Sequence, residues 1–232
     1  MPKRIGKIGN IVFHTVNYAW FTLFTFLCVY PFYYLLIYSL SDPIKASAGI
    51  VFWPAGFTIE NYRIIFGLND ILNAFGVSVA RTAVGTIITL FCCSLFAYVV
   101  TKPAMMFRKA VYRFVVITMY LNAGLIPWYL TMRGLGLQDS FLLYVLPTAI
   151  QAFYVILIKT YIEQLPESLE EAAMIDGAGY LTIYFRIVLP LSKPILATIA
   201  VFSAVAQWNT FIDNLLLVNN RNLQTMQLIL YH

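Results

Sequence analysis

Charge is scarce in this chain. Only 11% of its 232 residues are Asp, Glu, Lys or Arg, against 61% apolar, where a soluble domain carries about 25% charged residues. A water-soluble fold of this size must still present much of its surface to solvent and has too few polar groups here to do so. The phosphate loop GxxxxGK[ST] is also missing, which excludes that mode of ATP binding. No nucleophile, base and orienting acid stand near one another, so no enzyme is expected. Cysteines number three, Cys28, Cys92 and Cys93, all inside apolar runs and without metal-ligand spacing; free cysteines of this kind behave as small buried hydrophobes. His14 and His232 stand near opposite ends of the chain, and no metal site is expected. The alternating ten-residue segments of an outer-membrane barrel are absent as well.

Long uncharged apolar runs take the place of what is missing. Five of them reach the roughly 20 residues needed to cross about 30 Å of hydrocarbon: residues 18–41, 82–101, 114–132, 140–158 and 194–212. Helices are expected throughout, because lipid offers no partner to open backbone groups. The fold class is therefore all-α and polytopic, a single transmembrane domain over residues 1–232. The first run follows Lys3, Arg4 and Lys7, like a signal peptide, but it is too long for a signal core and lacks a small-residue cleavage site.

Ten of the fifteen basic residues fall on one side of these spans. They are Lys3, Arg4 and Lys7; Lys102, Arg108, Lys109 and Arg113; and Lys159, Arg186 and Lys193. Lys45, Arg63, Arg81, Arg133 and Arg221 fall on the other. The positive-inside rule then puts the N-terminus in the cytoplasm. Net charge is +5 without the clustered basic face of a nucleic-acid binder.

One cytoplasmic loop stands out. Residues 163–193 hold half of the acidic residues, Glu163, Glu167, Glu170, Glu171 and Asp176. Ser168 with Glu171 has capping-box spacing, Ala172, Ala173 and Met174 favour helix, and Gly177 and Gly179 allow a stop and reversal. A second short helix is expected from Tyr180 to Val188, ending near Pro190. The result is a helix–turn–helix with small residues at its apex. A surface amphipathic helix is the plainer alternative, but those usually carry basic polar faces.

The spacing of Glu171-Ala172-Ala173, Gly177, Ile187, Leu189 and Pro190 resembles the EAA loop of permease subunits in ATP-binding-cassette (ABC) importers. All seven fixed positions match, a coincidence on the order of one in 10⁸ per starting position at ordinary residue frequencies. Phe57-Thr58-Ile59-Glu60-Asn61-Tyr62 resembles the T-x-E-N-Y segment of sugar-importer permeases. Asn122-Ala123-Gly124-Leu125-Ile126-Pro127 resembles a third-span segment of the LplC/YtcP-like branch, which is linked to oligosaccharides, and Trp208-Asn209 resembles the W-N pair of the maltose-type group.

The resemblance implies a type I ABC importer permease fold in the bacterial cytoplasmic (inner) membrane. That fold has six spans, of which five are visible here; the sixth has no counterpart, because residues 223–232 are too few to cross. It implies a carbohydrate, most simply an oligosaccharide, as substrate. Its partners would be a second permease, two ATPase subunits that bind ATP and Mg, and an extracytoplasmic solute-binding protein. Glu171, Ala172, Ala173, Asp176, Gly177, Ile187, Leu189 and Pro190 would couple to the ATPase. Asn122, Gln151, Gln207, Trp208 and Asn209 are candidates for a polar substrate path, although polar groups within spans often only join helices. Asp213 reads as an interfacial charge. A non-sugar solute on the same scaffold is the main alternative. An ion-driven secondary transporter would place ionisable groups in mid-membrane, and none falls within the five runs.

Overall fold

The computed structural model describes residues 7–47, 49 and 52–231. Lys3 and Arg4 of the basic N-terminal segment, and His232, lie outside the described residues. Every regular element among the described residues is helical. The chain divides into two compact units, residues 1–68 and 69–232.

In the first unit, α1 (Lys7–Ser39) is a 33-residue apolar helix with Pro31 inside it. The short helices α2 (Pro43–Ala46) and α3 (Glu60–Gly67) follow. Pro43 starts α2 where its missing N–H is no loss, and the Asp42 carboxylate caps it by accepting from the Ile44 N–H (2.9 Å). The T-x-E-N-Y segment folds back on the end of α1. Thr58 Oγ1 accepts from the Glu60 N–H (3.1 Å), and the Asn61 amide donates to the Ser39 and Ser41 carbonyls (3.0 Å each). Ser39 and Tyr62 hydroxyls meet at 2.6 Å. This segment therefore satisfies the carbonyls that a helix end leaves open.

The second unit is built around α4 (Asn69–Thr101), which begins 13 residues before the expected span. One face of α4 carries Ala74, Ser78, Arg81, Gly85, Thr89, Cys93 and Ala97, all buried, at the helical spacing of a single stripe. Small side chains there let α8 (Ala152–Ile162) and α12 (Lys193–Asn209) approach closely. Cys93 is buried as expected of a small hydrophobe, whereas Cys28 is exposed and Cys92 half-buried.

Two expected spans are broken. Residues 114–132 fall on α5 (Arg108–Tyr120) and α6 (Leu125–Gly134), parted by a non-helical stretch. There Asn122 Oδ1 accepts from the Gly124 N–H (2.9 Å), with Gly124 at φ +85°. Residues 140–158 fall on α7 (Leu142–Val145) and α8, with Pro147 between them. Unpaired backbone is tolerated at membrane depth only where protein satisfies it, and at the second break α4 does so. Thr89 Oγ1 donates to the Thr148 carbonyl (3.0 Å), and Cys93 Sγ accepts from the Gln151 N–H (3.3 Å). By length and apolarity, α1 and α4 qualify as spans among the described residues, and the pair Tyr180–Leu191 and Lys193–Asn209, bent by 78°, counts as a third only if its two limbs are taken as one.

The chain then runs through α9 (Glu167–Ile175), α10 (Tyr180–Ile183), one π-helical turn (Tyr184–Val188) and α11 (Leu189–Leu191) into α12. It continues with α13 (Ile212–Leu217), a 3₁₀ turn (Arg221–Leu223) and α14 (Met226–Tyr231). The closing residues pack on α4, with Leu228 buried and the Met226 N–H donating to Ser78 Oγ (2.8 Å). Asp139 ties two loops at the same end. Its carboxylate accepts from the Asn220 and Asn219 N–H groups (2.9 and 2.5 Å), which holds its pKa below the ordinary carboxylate value.

Candidate functional site

The helical turn that contains Gly177 is built from its sequence in a few steps. α9 starts at Glu167, with Pro166 in the capping position and no side-chain cap. Ser168 therefore sits inside the first turn, and the expected capping box with Glu171 does not form. Pro166, in extended backbone, moved the start: it cannot continue the preceding chain as helix, and Glu167 and Glu170 suit the positive end of the new one. Gly177 closes α9 at φ +81°. The Ala178 N–H donates to the Ala173 carbonyl (2.9 Å) and the Gly177 N–H to the Met174 carbonyl (3.0 Å), a Schellman pair that needs a residue at positive φ. Gly179 has ordinary φ, so only one of the two glycines carries the reversal.

The second arm is longer than expected and continues through Pro190 to Leu191. Pro190 lacks an N–H, and the preceding turn widens to a π form, with the Leu189 N–H reaching the Tyr184 carbonyl. Ile183, Tyr184 and Val188 are buried against Cys93, Ala97 and Tyr98 of α4 and Val155, Ile158 and Ile162 of α8. Tyr184 bonds Ser94 (2.7 Å), and Tyr98 donates to the Tyr180 carbonyl (3.2 Å). Glu170 pairs with Lys102 at the end of α4. At Ser192 the arm meets α12 at 78°.

The sequence candidates for coupling separate into two groups here. Glu171, Ala172, Asp176, Gly177 and Pro190 are exposed, Ala173 is half-buried, and Ile187 and Leu189 pack on the core. Ile175 at the apex is 86% exposed. Ala173, Asp176, Gly177 and Arg186 are among the residues lining a cleft of about 530 Å³ between the two arms.

The proposed substrate-path residues do not all meet. An uncharged cavity of about 230 Å³ is lined by Gln151 and Gln207 together with Thr89, Thr148, Tyr154, Ser203, Ala206 and Thr210. Asn122 is exposed and caps its own turn. Asn209 is exposed and donates back to the Val205 carbonyl (2.8 Å). Trp208 meets Phe75 edge to face, with centroids 6.1 Å apart. The five additional polar residues have a signal in retrospect only as hydroxyls inside apolar runs; they come from separate segments, Thr89 on α4, Thr148 in the turn before α8, Tyr154 on α8, and Ser203 and Thr210 on and just after α12.

Beside this cavity lies a network absent from the sequence expectations. Arg81, read as an external loop residue, is 1% exposed and sits inside α4. Asp213, read as interfacial, is buried too. Arg81 Nη2 and Nη1 donate to the two Asp213 oxygens (2.5 and 3.1 Å), Nη1 also to the Thr210 carbonyl (3.0 Å), and Nε to Gln207 Oε1 (3.0 Å). The guanidinium carbon lies 4.6 Å from the centre of the Tyr144 ring. Gln207 Nε2 donates in turn to Thr148 Oγ1 (2.7 Å) and the Tyr144 carbonyl (3.2 Å). The expected run 82–101 holds no Asp, Glu, Lys or Arg, but α4 starts earlier than that run and so carries Arg81 as a buried charge just before it.

Known proteins resemble this chain along most of its length. No protein-family model matches it. It is 37% identical over 222 residues, 95% of this chain and 78% of the relative, to the polygalacturonan/rhamnogalacturonan transport system permease protein YtcP of Bacillus subtilis (strain 168). It is 37% identical to Protein LplC of the same organism over 88% of this chain and 70% of that one. Among solved structures, a bacterial ABC transporter involved in the import of the acidic polysaccharide alginate matches with TM-score 0.90 and 30% identity. That match covers 96% of this chain and 79% of the other.

Proposed function

The chain belongs to the permease subunits of bacterial sugar ABC transporters, and from that membership we propose that it is the coupling half of an oligosaccharide importer's membrane path. A second permease pairs with it, two ATPase subunits bind below and a solute-binding protein delivers from outside. ATP and Mg are held by the ATPases. The N-terminus and the α9–α10 turn face the cytoplasm. The observation that carries this reading is the turn itself: its apex is exposed, while its second arm is packed into the core against α4. A push at the apex therefore reaches the bundle directly, and the bundle is the two-state element such a push biases.

The substrate reading rests on the cavity with Gln151 and Gln207. Its lining of hydroxyls and amides suits sugar hydroxyls. At about 230 Å³ it falls below the roughly 300–1,000 Å³ of a self-sufficient ligand pocket, which fits a path completed by the second permease. Asn122, Trp208 and Asn209 would act only where that partner meets them.

Two measurements test the reading. Ala173→Trp fills the cleft between the arms. Gly177→Leu places a side chain at φ +81°, where no atom lies within 4 Å of the new Cβ, so its cost is backbone strain of about 1–2 kcal/mol and not a clash. Both variants should insert normally, lose substrate-stimulated ATP hydrolysis in vesicles and weaken ATPase co-purification about tenfold. Glu171→Ala should cost about 1–2 kcal/mol if it makes one charged hydrogen bond. Normal coupling in both bulky variants would remove the docking assignment. Separately, cysteines at positions 109 and 177 should label only from the cytoplasm, and those at 60 and 139 only from outside. Outside labelling of position 177 would reverse the topology.

A further inference from the structure

We propose that the cleft between the end of α4, the start of α5 and the end of α8 binds the phosphate of an anionic phospholipid headgroup. The inference rests on the cytoplasmic placement of this end of the molecule. The cleft, about 210 Å³, is lined by Val100, Arg108, Lys109, Tyr112, Lys159 and Glu163. Lys159 pairs with Glu163 (2.6 Å) and lies 4.4 Å from the centre of the Tyr112 ring. Its charge is thus paired, whereas among the described residues no carboxylate forms an ion pair with Arg108 or Lys109, although Arg108 also borders the neighbouring cleft that holds Glu167, Glu170 and Glu171. Arg108 is fixed by one bond, Nη1 to the Thr101 carbonyl (2.9 Å), which leaves most of its fork to a ligand. Lys109 is exposed and has no partner among the described residues.

These two cations stand at the first turn of α5, which has no acidic residue there and no side-chain cap. Positive charge on the positive end of a helix is unfavourable, and an anion in the cleft removes the conflict. The adjoining residues say which kind of anion. Met106 and Phe107 are 77% and 74% exposed, and Phe107 holds φ +57°, a backbone that bulky residues rarely adopt. An exposed apolar pair beside two cations without ion-pair partners is the pattern of a chain lying at the headgroup boundary. The apolar helices α4 and α8 end at this level. A soluble phosphate would gain nothing from Met106 and Phe107, whereas a phospholipid's acyl region would.

The test is native mass spectrometry of the full purified chain titrated with phosphatidylglycerol or phosphatidylcholine of identical acyl chains. Phosphatidylglycerol should bind more tightly. Lys109→Gln, which breaks no contact in the protein, should reduce that preference about fivefold, and Arg108→Gln with Lys109→Gln about 25-fold. Equal binding of the two lipids by the unmodified chain, or an unchanged preference in both variants, would overturn the site. Displacement of the lipid by equimolar inorganic phosphate would make it a free-anion site and overturn the lipid assignment. Loss of ATPase co-purification in Lys109→Gln with the preference intact would make it a protein contact and do the same. Headgroup preference is read without transport, so failure of the coupling variants leaves this result standing, and the reverse holds too.

Discussion

Arg81→Met should destabilise the protein by about 3–5 kcal/mol, the range for removing one partner of a buried ion pair. The guanidinium is almost fully buried, and its donors serve the Asp213 carboxylate, the Thr210 carbonyl and Gln207. Methionine fills much of the same volume but leaves Asp213 as a buried, unpaired charge. It also leaves open the carbonyl at which α12 stops. The loss should be read as a lower thermal midpoint in detergent and reduced accumulation in the membrane. Arg81→Met combined with Asp213→Leu removes both charges and should recover most of the midpoint, because a buried pair replaced by apolar groups is often near neutral. A single variant as stable as the unmodified protein would mean that Asp213 reaches water.

Gly85→Ala should also destabilise, by about 2–4 kcal/mol, against the usual gain of about 1 kcal/mol for this change in a helix. A Cβ on residue 85 would lie 2.5 Å from Gln207 Nε2 and 2.8 Å from Cδ. A glutamine elsewhere would swing aside. This one is held at both ends of its amide, by Arg81 on the oxygen and by Thr148 and the Tyr144 carbonyl on the nitrogen. Either the helices part, at the roughly 1–3 kcal/mol of overpacking, or the amide loses buried bonds at a similar cost. Chemical or thermal denaturation in detergent decides the sign. Because Gly85 and Arg81 share Gln207, the two losses should combine to less than their sum.

The class of fold and the reversal at Gly177 were legible because each depends on local chemistry. Apolar runs demand lipid, and the spacing from Ala173 to Gly177 is that of a helix and its left-handed stop. What escaped were features whose causes lie far along the chain. Asp213 is 132 residues from Arg81, and a hydropathy window treats any charge as the edge of a span. Arg81 therefore cut α4 short on paper, when its real partner allowed it inside. The breaks at residues 121–124 and 146–151 carry no charge, so they vanish into apolar averages. They hold only because Asn122 serves its own turn and α4 serves the other. The capping box failed for a smaller reason, a proline two residues earlier that set the start of α9.

The 78° junction at Ser192 makes the arm and α12 a bell crank. The arm Tyr180–Leu191 is about 18 Å long at 1.5 Å per residue, and it stands nearly square to the axis of α12. A sideways stroke of about 3 Å at its far end corresponds to a turn of about 10° on that radius. Were the turn the docking element proposed above, such a stroke delivered to α12 would emerge as torque about the helix axis and hardly at all as thrust along it. Gln207, four turns up the shaft, would then be pulled around the cavity wall against its bonds to Arg81, Thr148 and the Tyr144 carbonyl, without rising or sinking in the bilayer.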